Sequence, residues 1–165
     1  VASAAGFSKG AVQHHFPSKE DLIAATLNSL LDRTVQPRPG AARARSVEES
    51  LLIAWTRFIN TAPYRALMEI LNAARTDRQL QLRINADLME WGKRLDQRSL
   101  QHYEAASGDD DEVIMLLNMN RSFMRGLLLQ ERYGASQEKT LAYVKKWIEL
   151  IGPLLRLRSE EAVTS

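Results

Sequence analysis

Apolar side chains recur at intervals of three and four residues along most of the chain, the spacing of one face of an α-helix, and the breaks fall at glycines, prolines and hydroxyl residues. Ser46 is expected to cap a helix running to about Asn60, with Glu48 and Glu49 in its first turn and Leu51, Leu52, Trp55, Phe58 and Ile59 on its apolar face. Pro63 opens another, Tyr64 to about Ala74, whose core side is Leu67, Met68, Ile70 and Leu71. From about Asp77 to Ala106 a long amphipathic helix carries Leu80, Ile84, Leu88, Trp91 and Leu95 along one stripe. Ser107 and Gly108 stop it, and one of Asp109, Asp110 and Asp111 caps the next helix.

Residues 113–129 are apolar nearly all round, which predicts a helix buried on more than one side. The last helix, about Ser136 to Leu157, has two stripes: Leu141, Val144, Ile148, Ile151 and Leu155, and Tyr143, Trp147, Leu150, Leu154 and Leu157. One stripe can pack on the protein's own core and the other on a second copy, so a homodimer with a two-fold four-helix interface is expected. The interface residues assigned from this pattern are Val144, Trp147, Ile148, Ile151 and Leu155. Gly152-Pro153 should kink the helix near its end.

The first 35 residues follow a different plan. Gly6 follows an Ala-rich segment and precedes Phe7-Ser8, as expected of a helix that ends in a left-handed residue and a second one that starts with a hydroxyl cap. Val12 and Phe16 then form an inner face, while Lys9, Gly10, Gln13 and His14 form a short polar outer face of the kind that enters a DNA major groove. His15 should be partly packed. Ser18 is the expected cap of the next helix, with Asp21 completing a capping box. Lys19 sits in the first turn, where the helix dipole disfavours a cation unless an anion such as a DNA phosphate docks there.

The run V-A-S-A-A-G-F-S-K-G-A-V-Q-H-H-F-P-S-K-E-D-L resembles the helix-turn-helix signature of the tetracycline-repressor (TetR) family of bacterial transcription regulators. The resemblance implies an all-α homodimer, operator binding by an N-terminal domain, and a small-molecule pocket in a variable C-terminal domain. By position it places Ser8, Lys9, Gly10, Gln13 and His14 on or beside the recognition helix, and Lys19 on the phosphate backbone. Gln13 stands where the family commonly has a tyrosine that touches the DNA backbone; an amide can meet either a phosphate or an adenine edge. Compared with the family pattern, the chain starts inside the motif and lacks the first helix and part of the second. As it stands it is expected to bind DNA weakly.

Three regions follow: the helix-turn-helix remnant and connecting helix (1–35), a mobile loop (36–45) rich in proline and arginine, and a ligand-binding and dimerisation domain (46–165). At 165 residues the chain can bury about 68–70% of its unfolded surface, enough for one substantial core. The net charge is only +2, yet residues 1–45 hold Lys9, Lys19, Arg33, Arg38, Arg43 and Arg45 against Glu20, Asp21 and Asp32. That asymmetry points in the direction of N-terminal DNA contact. The lack of cysteine fits a reducing cytoplasm, and no apolar run nears the roughly 20 residues of a membrane span. A cytoplasmic bacterial protein is expected.

Candidate lining for the effector pocket is Trp55, Met68, Trp91, Met115, Asn118, Met119, Arg121 and Phe123, suited to a mainly apolar ligand. Methionines and aromatics at helical spacing are also ordinary core, and Asn118 and Arg121 could serve another side chain or the dimer mate. No metal or cofactor is expected. His14 and His15 are neighbours about 100° apart on a helix and cannot share one ion, and Asp109–Asp111 lack the glycine and glutamate of a calcium loop. No thiol, phosphate-gripping glycine loop or credible Ser, His and acid grouping favours catalysis. The leading reading is a ligand-released repressor; the alternative is a helical small-molecule-binding protein or enzyme without active DNA binding.

Overall fold

In a computed structural model, residues 14–35, 44–131 and 133–158 are described. They form an all-α bundle with one minute sheet. His14 and His15 close a helical turn, and helix α1, Lys19–Val35, follows. Its start is set locally: the Asp21 amide donates to Ser18 Oγ at 3.0 Å, and the Ser18 hydroxyl donates to Asp21 Oδ2 at 2.7 Å. The expected loop falls outside the described residues except for its last two.

Each later helix is opened by the same chemistry. Ser46 caps α2 (Val47–Ala54) by accepting from Glu49 N, Thr61 caps α3 (Ala62–Ala74) by accepting from Tyr64 N, and Asp77 caps α4 (Arg78–His102) by accepting from Leu80 N. Ser136 does so for α6 (Gln137–Ile151), accepting from Lys139 N. Helix α5 is Asp110–Glu131, and Asp109 accepts from the Asp111 amide at 2.9 Å. Between α2 and α3 the helix widens into a π-helical turn, Trp55–Ile59, closed by the Asn60 amide on the Trp55 carbonyl at 2.8 Å.

Two expected helices end early. The long one stops at His102, and the last one at Ile151, after which Gly152–Leu154 form a 3-10 turn. Pro153 has no amide to continue the ladder. The freed ends, β1 (Tyr103–Ala105) and β2 (Leu155–Leu157), pair antiparallel with Tyr103 opposite Leu157. Ser50 Oγ and the Tyr103 hydroxyl lie 2.6 Å apart, which ties this clasp to α2.

A single core runs through the molecule, from Ala24, Leu27 and Leu31 of α1 to Val144, Ile148 and Ile151 of α6. Helix α1 lies along α4 through four side-chain links: Asp21 with Arg83 at 2.9 Å, Asn28 with Asp87 at 2.9 Å, Thr34 with Trp91 at 2.8 Å, and Asp32 with Arg94 at 3.3 Å. No helix among the described residues is long and apolar enough to cross a membrane.

The two stripes of α6 separate cleanly. Val144 is 0% exposed, and Ile148, Ile151 and Leu155 are each 4% exposed. These four belong to the protomer's own core, which corrects their assignment as interface residues. Tyr143, Leu150 and Leu154 of the other stripe are exposed, and Trp147 is half-buried.

Candidate functional site

At the N-terminal end His14 is exposed, as expected of an outward residue, and Lys19 is exposed in the first turn of α1. His15 is exposed as well, which corrects the expectation that it is partly packed; its ring meets that of His14 edge-on, with centroids 5.5 Å apart. Ser8, Lys9, Gly10 and Gln13 lie outside the described residues.

The eight expected pocket residues do not share one hollow. Trp55 and Trp91 are core. Met68 is half-buried against that core, and Phe123 stacks on Trp147 with centroids 4.7 Å apart. Met115, Asn118 and Met119 are exposed, on the face of α5 opposite Val113, Leu116, Leu117, Asn120 and Met124. They therefore cannot line an interior pocket of the protomer. In a helix apolar nearly all round, periodicity alone does not say which side is inward.

Arg121 is half-buried and reaches Asp96 Oδ1 at 3.2 Å and Asn118 Oδ1 at 2.9 Å. Burial pushes its pKa below the usual guanidinium value, with Asp96 opposing and Arg125 reinforcing the shift. Arg125 donates through Nε to the Tyr64 hydroxyl at 2.7 Å, and its guanidinium lies 5.6 Å from the Trp91 ring centroid.

Two adjoining clefts lie elsewhere among the described residues, between α1 and the π-helical turn with the start of α3. A cleft of about 500 Å³ is lined by Leu30, Arg33, Thr34, Thr56, Arg57, Phe58, Thr61, Pro63, Tyr64 and Leu67. A second cleft of about 430 Å³ adjoins it, sharing Leu30, Arg33 and Pro63 and extending past Leu22, Ala25, Thr26 and Ser29 to Phe16. Each alone falls within the usual size of small-molecule sites. Of the residues expected to line a pocket, none lines either cleft, and Trp91 reaches the wall through Thr34. What brings Arg57 and Phe58 to the wall is the widened turn after Trp55, and the sequence carries no local signal for it. Among the described residues no group of three or more His, Asp or Glu side chains is placed to hold a metal ion.

Residues 1–26 match the family model described as "Bacterial regulatory proteins, tetR family". No curated protein and no solved structure matches the chain. The matched segment reaches into α1 as far as Thr26, so Phe16, Leu22, Ala25 and Thr26 of the smaller cleft belong to it, whereas every lining residue of the larger cleft lies downstream.

Proposed function

As a member of the TetR family of bacterial regulatory proteins, identified by residues 1–26, the chain is a DNA-binding transcription regulator, and we propose that it works as a homodimeric repressor that a small molecule releases from its operator. The family is one of regulators rather than enzymes. The observation that carries the reading is the position of α1. It leads directly out of the matched segment, it is pinned to α4 by four polar links, and its far side walls the clefts. A ligand wedged there favours a different tilt of α1, and with it a different placement of the DNA-reading end.

The dimer reading rests on the outer faces of α5 and α6. Trp147 donates to Asn120 Oδ1 at 3.1 Å and stacks on Phe123, which fixes the register of this antiparallel helix pair. In that register Met119 on α5 comes level with Leu150 on α6, with Met115 one turn earlier on α5 and Leu154 in the 3-10 turn that follows α6. All four are exposed, between 42% and 60%. Exposed apolar side chains gathered on one face mark an association surface. A second copy covers it by two-fold symmetry and gives four packed helices.

The reading is tested by fluorescence anisotropy of the full-length protein on duplex DNA flanking its own gene. Tight, salt-sensitive binding that unrelated duplex does not match is expected. Equal affinity for both duplexes contradicts it.

A further inference from the structure

The chemistry of the cleft specifies what it holds. Its lining includes two guanidinium groups, Arg33 and Arg57, and no carboxylate. Asp32, the acid next to Arg33 in sequence, pairs with Arg94. With the described residues neither guanidinium forms an ion pair or a hydrogen bond.

The threonines do not supply donors. The hydroxyl of Thr34 donates to the Leu31 carbonyl at 2.7 Å, that of Thr56 to the Leu52 carbonyl at 2.9 Å, and that of Thr61 to the Phe58 carbonyl at 2.6 Å. Each hydroxyl has one proton, so toward the cleft these residues can only accept. The Tyr64 hydroxyl accepts from Arg125 Nε and keeps its own proton, a neutral donor beside the wall that its ring forms. The charged donors on the wall are therefore the two arginines, in the forked geometry that suits a carboxylate.

The rest of the wall is apolar. Leu30, Phe58 and Tyr64 flank the arginines, and the adjoining trough continues along α1 to Phe16. A free phosphate or a small inorganic anion would leave that surface wet. A neutral hydrocarbon would leave two guanidiniums facing it unpaired. π-Helical turns occur often at functional sites, and this one carries Thr56, Arg57 and Phe58 to the wall.

We propose that the cleft binds an amphipathic carboxylate, with its anionic head held by Arg33 and Arg57 and its apolar body laid along α1 toward Phe16. The inference rests on the regulator reading for the identity of the site as an effector site, and adds the class of molecule that fills it. Head and body divide the work: the arginines select the charge, and burial of the body supplies most of the affinity.

The probes are decanoate and decan-1-ol, titrated into the full-length protein by calorimetry. Binding is followed in parallel by the indole N–H resonance of Trp91, which hydrogen-bonds Thr34 on the cleft wall. Decanoate is expected to saturate, to shift the Trp91 resonance, and to bind about tenfold or more tightly than decan-1-ol, a difference set by the charge. Arg33→Gln and Arg57→Gln, both at exposed positions, should each weaken decanoate several-fold and leave decan-1-ol unchanged. Equal affinity for acid and alcohol, unchanged decanoate binding in both variants, or acetate binding as tightly as decanoate overturns the proposal. Operator binding is measured separately on the same preparations. Decanoate binding without sequence-preferring DNA binding sinks the regulator reading and leaves the ligand class standing; the reverse result sinks the ligand class alone.

Discussion

The indole Nε1–H of Trp91 donates to the hydroxyl oxygen of Thr34 at 2.8 Å, and that hydroxyl in turn donates to the Leu31 carbonyl at 2.7 Å. Trp91 is buried in the body of the molecule and Thr34 stands near the end of the helix that leads out of the DNA-reading segment. One hydroxyl therefore joins the two parts and also lines the cleft between them. Thr34→Val keeps the shape, removes the acceptor, and leaves a buried indole N–H unpaired. A loss of about 1–3 kcal/mol in urea denaturation is expected. An unchanged midpoint would mean that this link does not hold α1 in place.

The two faces of α6 should respond differently to substitution. Leu150 is 60% exposed, whereas Ile148 is 4% exposed. Leu150→Asp is expected to convert dimer to monomer in sedimentation velocity with helical content retained. Ile148→Ala, by contrast, should cost about 2–5 kcal/mol of stability through the cavity it leaves. A Leu150→Asp protein that sediments like the parent rules out this face as the interface.

Asp21 ties the start of α1 to α4, and its pH response has a definite sign. The hydrogen bond from Arg83, then that from Ser18, holds its carboxyl below the ordinary Asp value of 3.8. A depressed carboxyl stabilises the fold fully above the unfolded value, and that contribution fades as pH falls through the folded one. The tether should therefore be intact at neutral pH and weaken only below about pH 3.8. Arg83→Gln should move the Asp21 titration, followed by carboxyl carbon NMR, upward toward the ordinary value. A titration that stays put would show that Ser18 alone sets it.

Lys19 is exposed in the first turn of α1, at the positive end of the helix dipole. If it meets a DNA phosphate, Lys19→Gln in the full-length protein weakens binding to all sequences alike and reduces the slope of log affinity against log salt by about one. A variant that loses preference for one sequence while keeping its salt slope would place Lys19 on a base instead.

How far the fold could be read from the chain depended on how local each signal is. Ser18, Ser46, Asp77 and Ser136 cap the helices they precede, because a cap is decided by a side chain and an amide three residues on. The strands at Tyr103–Ala105 and Leu155–Leu157 gave no such signal: each is three residues long and exists through a partner about fifty residues away. The outward position of Met115 and Met119 is illegible for a related reason, since a helix apolar on several sides names no inward face until its neighbours are positioned. The cleft was least legible of all. Arg33 and Arg57 come together through tertiary packing and a widened turn, and neither residue differs in its local sequence from an ordinary surface arginine.

In the proposed regulator two joined protomers hold out paired reading heads matched to duplex DNA. Hydroxyl-radical footprinting of the full-length protein on the DNA flanking its gene tests this most directly. Two protected half-sites, their centres about 34–36 Å or a whole multiple of that apart along the helix axis, are predicted for one bound dimer. A single protected half-site bound by one protomer, or uniform protection that ignores sequence, would contradict it.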